Sequence, residues 1–255
     1  MSDSLQVKPP KGMKTYKTKQ PPYPHMEGWL ASRAILSIPS GGGKQIIMLN
    51  LALKFWRGCF SRIILVSPTC GVDSGWKVLE DYVRNDLQVP ENEKWCYEQF
   101  DGQILGEILA NHEKVIKYQK KHQPYGTLMF GLLLLIDDFG SDIQVAKHNK
   151  ILDKLFTQGR HTYVSTVFSQ QRWMMASSTI RSQATLVMFG RARSELDKKK
   201  FIEENGQLAG SNKNLERMID IATSEPYGFL TLDLLQQDPN KRWLKGFSHY
   251  LNPTS

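Results

Sequence analysis

The sequence predicts an α/β fold: a mostly parallel central sheet flanked by helices and closed by a C-terminal β-hairpin. Three stretches carry that prediction. Ala34–Gln45 (AILSIPSGGGKQ) reads as a short apolar strand, a glycine turn, a lysine, and the start of an apolar helix near Ile46. Arg62–Ser67 (RIILVS) is a second strand, so strand, helix and strand follow one another within about thirty residues. That is a βαβ unit, with parallel pairing and a right-handed crossover. Leu132–Ile136 is a continuous apolar run of strand length, as expected for a strand covered on both faces, and Asp137 and Asp138 stand at its end.

Each element has its own justification. Ile46, Ile47, Leu49, Leu51, Ala52, Leu53 and Phe55 make a helix apolar over most of its circumference, ended by Gly58. Asp73–Leu87 is a second helix with Asp73 and Ser74 as cap candidates. Pro90–Gln123 is polar and helical, closing on Lys117, Lys120, Lys121 and His122. That cluster is open to two readings, a solvated helix end or a nucleic-acid contact. Ile151–Phe156 is helical and ends at Gly159-Arg160-His161, and Tyr163–Phe168 is a strand tipped by Ser169-Gln170-Gln171. A short helix around Ser177–Arg181 leads to a strand over Thr185–Phe189, followed by Arg191 and Arg193. Helices over Glu195–Asn205 and Leu215–Ala222 precede the hairpin of Phe229–Leu235 and Trp243–Phe247.

The chemistry concentrates at two places. Glycines let backbone amides approach an anion and take up positive φ, and a helix N-terminus aims unpaired N–H groups at it. Lys44 adds a mobile charge for outer phosphates, so Pro39, Ser40, Gly41, Gly42, Gly43, Lys44 and Gln45 form a candidate phosphate cradle. The pattern G-x-x-x-x-G-K-[ST] has two departures here, Ile38 in place of the first glycine and Gln45 in place of the hydroxyl. Asp137 and Asp138 are the second place. In open parallel sheets ligands bind at the C-terminal edge, and two adjacent acids beside an apolar strand call for a counterion such as Mg²⁺. The combined expectation is a P-loop NTPase-like three-layer sandwich. A nucleoside triphosphate is expected on the loop and the metal near Asp137, with water oriented by Asp138 and Gln170.

Bulk properties bound the class. The chain has 255 residues, 33 Lys+Arg and 25 Asp+Glu, giving +8 and a pI near 9.3. That balance suits a polyanionic partner, although charge alone leaves a merely basic protein equally open. Cys59, Cys70 and Cys96 are odd in number and lack a C-x-x-C pair, so neither a disulfide framework nor a zinc site is expected and a reducing compartment fits. With no apolar signal core and no run long enough to span a bilayer, an intracellular, soluble protein without membrane contact is expected. Residues 1–27 carry five lysines among five prolines and are expected to be a flexible basic arm, with residues 28–255 forming the domain.

The chain resembles the poxvirus-type viral DNA-packaging ATPases of the FtsK–HerA branch of P-loop ATPases. PSGGGK, RIILVSPT, LLLLIDDF, LFTQGRH, STVFSQQ, IRSQA and ATSEPY carry the resemblance, over roughly residues 34–247. It implies a homo-oligomeric ring that drives double-stranded DNA into a capsid using ATP and Mg²⁺, in a cytoplasmic, nuclear or viral-factory setting or in the virion, with capsid proteins as further partners. It makes Lys44 the Walker A lysine, Asp137 the Walker B metal acid, Asp138 the catalytic carboxylate and Gln170 the sensor. Arg160 is the first arginine-finger candidate and Arg181 the alternative. The family's hydroxyl at the Gln45 position binds Mg²⁺ directly, so weakened binding and weaker hydrolysis are expected. A catalytically silent DNA-binding or ring-scaffold copy is the alternative reading. A small-molecule P-loop kinase is a third, disfavoured because no arginine-rich lid is evident.

Overall fold

The computed structural model describes residues 16–138 and 150–253. Its frame is a nine-stranded sheet in the order β3-β2-β4-β5-β1-β6-β7-β8-β9. The strands are β1 (Arg33–Ser37), β2 (Arg62–Val66), β3 (Cys96–Tyr97), β4 (Leu132–Ile136), β5 (Val164–Gln170), β6 (Leu186–Gly190), β7 (Phe229–Asp233), β8 (Trp243–Lys245) and β9 (His249–Tyr250). The first six in spatial order pair in parallel; β7, β8 and β9 continue antiparallel from β6. The α/β expectation and the terminal hairpin are both present.

Period-two alternation divides the strands between two apolar layers. Leu132, Leu134 and Ile136 face one side with Ile64, Val66 and Phe168; Leu133 and Leu135 face the other with Leu65 and Val167. The first layer is closed by α3 (Gly102–His122), α4 (Lys150–Gln158), α6 (Glu195–Asn205) and α7 (Asn212–Ala222). The second is closed by α1 (Lys44–Asn50) and α2 (Gly75–Asp81). A short α5 (Ser178–Gln183) is capped by the Ser177 hydroxyl, which accepts from the Ile180 N–H at 3.1 Å. All five β4 residues are buried, and each such aliphatic side chain contributes about 1.5–3 kcal/mol relative to exposure. The continuous apolar run is therefore the sequence signature of a strand with helices on both faces.

Both helices of the second layer end in a wider turn. Leu51–Phe55 and Tyr82–Asp86 continue α1 and α2 with five-residue hydrogen bonds, Trp56 N–H to Leu51 C=O at 2.8 Å and Leu87 N–H to Tyr82 C=O at 3.1 Å.

Three expectations need correction. Pro90–Gln123 is not helical throughout: β3 lies within it, and α3 starts only at Gly102, where the Asp101 carboxylate accepts from Gln103 and Ile104. Cys70 and Cys96 form a disulfide. Their spacing in sequence hides it, but β3 pairs with β2, placing Cys96 opposite Leu65 while Cys70 lies in the turn just after β2. The flexible arm does not extend to residue 27. Lys17 pairs with the 127–129 segment, its N–H meeting Thr127 C=O and its carbonyl accepting from Met129, and Met26 is fully buried. The Gln20 amide also ties Leu30 at both its N–H and its carbonyl. Lys8, Lys11 and Lys14 lie outside the described residues, as does Phe139.

Candidate functional site

Because β5 lies between β1 and β4 and all three are parallel, the segments leaving their C-terminal ends converge. The register aligns Ser37 with Gln170, and Ile38 N–H continues the ladder onto Gln170 C=O at 3.0 Å. From there the chain turns sharply. Gly42 N–H bonds Pro39 C=O, while Gly41 and Gly43 take φ of +74° and +87°. Gly43 is thus the left-handed residue that opens α1, and its carbonyl accepts from Ile47 N–H. Among the described residues, the N–H groups of Gly41, Gly43, Lys44 and Gln45 meet no backbone carbonyl, as the first turn of a helix requires. They remain available to an anion.

Ile38 keeps negative φ, so a β-branched residue carries no left-handed strain there. Its side chain is buried and occupies the space beside Gly42, where an added Cβ would stand 2.6 Å from Ile38 Cγ2. The glycine missing at position 38 has in effect been exchanged for one at 42. Gln45 does not imitate a hydroxyl so simply. Its amide lies flat against Gly75 at the start of α2, within 2.8–2.9 Å of where a Cβ there would stand, and its Nε2 is buried without a partner.

Lys44 reaches the acids. Its Nζ lies 3.4 Å from Asp138 Oδ1, with the lysine side chain nearly buried. Asp138 sits at φ +53°, a conformation that aspartate tolerates better than most residues. Asp137 is buried and its Oδ1 has no hydrogen-bond partner. Burial pushes its carboxyl above the usual range; the Ser169 hydroxyl and Lys44 pull it down, and Asp138 and Asp73 push it up. A buried, orphaned carboxylate oxygen facing one cation and two other acids fits a divalent cation. No group of three or more His, Cys, Asp or Glu among the described residues is placed to hold a metal unaided. Magnesium held by one carboxylate with water and phosphate oxygens needs no such group.

The amide that meets Asp138 is Gln171, not Gln170. Gln171 Nε2 donates to Asp138 Oδ1 at 2.9 Å and Oδ2 at 3.2 Å. Gln170 ends β5 fully buried, its Nε2 at 3.5 Å from Trp173 C=O and its Oε1 unpartnered. Successive strand residues face opposite sides, so one position decides which amide enters the site. Arg193 also enters: its Nη2 donates to Ser40 C=O at 2.9 Å. Two clefts flank the loop. One of about 560 Å³ lies between Ile38–Gly42, Arg191 and the Thr223–Gly228 turn; one of about 400 Å³ lies between Ser40, Gln171 and Arg193.

Neither arginine-finger candidate lines the two clefts beside the loop. Arg181 is held by Glu204 through Nε and Nη2 at 3.0 and 2.9 Å and by the Ala176 carbonyl. Arg160 precedes β5, at the opposite edge of the sheet.

The profile of the poxvirus A32 protein family matches residues 32–228, from the start of β1 to the turn before β7. The chain belongs to the poxvirus A32 protein family. Solved structures of similar fold include the genome packaging NTPase B204 from Sulfolobus turreted icosahedral virus 2 in complex with AMP. It matches at a TM-score of 0.55 with 16% identity over 81% of this chain and 94% of that one. The same protein with sulfate gives 0.54, at 16% identity over 81% and 93%. The pCW3 conjugation coupling protein TcpA, with ATPγS, gives 0.51 at 13% identity over 79% of this A32-family chain and 58% of TcpA. At such identities the likeness shows the shared fold alone, an α/β sandwich on a mostly parallel sheet. No curated protein matches the chain in sequence. No helix among the described residues is long and apolar enough to cross a membrane.

Proposed function

We propose that this A32-family chain is an ATP-driven translocase of double-stranded DNA of the genome-packaging type, acting as a homo-oligomeric ring at a capsid. The observation that carries the reading is the approach of Lys44 Nζ to 3.4 Å from Asp138 Oδ1, at the mouth of a loop where the amides of Gly41, Gly43, Lys44 and Gln45 meet no backbone carbonyl. B204, which shares the fold, is described as a genome packaging NTPase and has been solved with AMP.

The loop amides of Gly41, Gly43, Lys44 and Gln45 would hold the outer phosphates, and Lys44 would leave Asp138 for them. Asp138, released from the lysine and still held by Gln171, would then orient a water for attack and take its proton. Positioning and charge neutralisation supply most of such a reaction. Asp137 would hold Mg²⁺, which neutralises charge on the phosphate oxygens. Arg193, through the Ser40 carbonyl, would fix the outer wall of the loop.

DNA-stimulated ATP turnover, lost in Lys44→Ala and in Asp138→Asn, tests this reading; no turnover under any DNA and metal condition removes it. One observation favours a second reading. The Gln45 amide is packed on Gly75 where the phosphate-loop pattern has a hydroxyl, which suits a chain that binds nucleotide and DNA without hydrolysis. Turnover that appears only in Gln45→Thr would select that scaffold.

A further inference from the structure

At the opposite edge of the sheet, where β1 and β5 begin, Arg33, Lys120, Arg160 and His161 line a hollow of about 520 Å³. It lies a strand's length from the glycine loop, roughly 16 Å at the usual rise per residue. No Asp or Glu is among the described residues lining it, and none of its cations pairs with a described carboxylate. Two further features set it apart from a solvated basic face. Arg33 is half-buried: Nη1 donates to Phe156 C=O at 3.2 Å, but its Nε is buried with no acceptor. Lys120 is held in place, its Nζ 5.1 Å from the Tyr163 ring centre and 5.5 Å from that of Tyr16. The Tyr16 hydroxyl donates to Lys120 C=O at 3.1 Å, so the pre-domain segment forms one wall.

We infer that this hollow is a phosphate-binding site, and that the phosphates are those of a nucleic-acid backbone. Like charges brought together and partly desolvated without an acid are unfavourable unless an anion joins them. Burial and the nearby Arg160 both hold the Arg33 guanidinium below its ordinary range. A single phosphate needs one mobile guanidinium. Here the cations pool around one open hollow, and exposed Lys121 and His122 in the last turn of α3 add basic charge nearby. Such contacts position a duplex without reading its sequence.

This site rests on the DNA-handling half of the proposed function, so it is tested apart from ATP. Anisotropy of a labelled mixed-sequence duplex of about 30 bp, titrated from about 50 to 200 mM salt, gives affinity and salt slope. The double variant Lys120→Ala/Arg160→Ala spares Arg33, whose bond to Phe156 makes it a folding risk. Its melting temperature should match the wild type. Its slope of log K against log salt should fall by about 1.8, with binding roughly tenfold weaker or more. Lys199→Ala/Lys213→Ala, removing equal charge from α6 and α7, should keep the wild-type slope. Equal loss in both double variants, or loss in neither, overturns the site. Unchanged DNA binding with lost ATP turnover, regained on mixing with Lys44→Ala subunits, would assign the hollow to a neighbouring copy's triphosphate and overturn the DNA assignment. Wild-type protein that binds ATP but no DNA overturns both this site and the translocase reading, while leaving the nucleotide pocket standing.

Discussion

The two edges of the parallel sheet carry opposite electrostatics. At the C-terminal edge one cation, Lys44, is met by Asp138 at 3.4 Å, and a second acid, Asp137, is buried with its Oδ1 unpartnered. At the N-terminal edge Arg33, Lys120, Arg160 and His161 surround a hollow with no acid among its described lining. Parallel pairing produces the contrast. Crossover helices begin at one edge and end at the other, so α1 and α2 point their amide ends at the first. The basic last turn of α3 and the Arg160-His161 turn lie at the second, where helix C-termini favour cations. The first edge thus brings a lysine, unpaired loop amides and two acids together. The second offers only positive charge.

Mutations can break or sharpen that contrast. The largest expected effect is on turnover in Asp138→Asn: a fall of about 10²–10⁴ if Asp138 takes the water's proton, with ATP affinity retained in equilibrium binding. Lys44→Ala should instead lose affinity, roughly 10–100-fold for one charge-assisted contact, and lose turnover with it. A Lys44→Ala protein with normal ATP affinity would place the triphosphate elsewhere. Gln171→Ala should lower kcat about tenfold, or about 1.4 kcal/mol of barrier, leaving Tm unchanged. If Gln170→Ala does so while Gln171→Ala does not, the strand-tip reading of the sequence holds instead.

The smallest effect is on stability. An acid raised in the folded state favours folding in its protonated form. That contribution is present at low pH, is lost as pH rises from the unfolded value of 3.8 through the raised folded value, and stays lost at neutrality. Metal-free Asp137→Asn should therefore melt above the wild type at pH 7, by about 2–4 °C per kcal/mol recovered. The gain should vanish in acid, measured by thermal melts across pH. A lower Tm at pH 7 would mean that Asp137 is already paired in the free protein.

Most of the parallel sheet was legible because its signals are local. The apolar run at Leu132–Ile136, the apolar stretch Ile63–Val66 and the glycine turn before Lys44 each declare an element without reference to distant residues. What was not legible depends on pairing between distant segments. Cys70 and Cys96 meet only because β3 lies beside β2, and Cys96–Tyr97 is too short to show a period. Residues 16–26 lack the composition of an ordered segment, yet they are ordered by tertiary contacts: Lys17 against the 127–129 segment, and Met26 in the core. At the site, Lys44, Asp137 and Asp138 are readable from motif spacing. The choice between Gln170 and Gln171 turns on which face of β5 each occupies after the strand ends, and Arg193 enters through the Ser40 carbonyl, which no motif records. The loop pattern has a glycine where Ile38 stands, and only the fold shows that Gly42 supplies the room for its side chain.

The central claim is that the loop from Ile38 to Gln45, despite its two departures, still closes on a triphosphate through Lys44. Equilibrium titration of the full chain with Mg²⁺ and ATP, in wild type and Lys44→Ala side by side, tests it most directly. The account predicts saturable binding by the wild type that is weakened in the variant. Absence of binding at every metal concentration, or equal binding by both proteins, would contradict it.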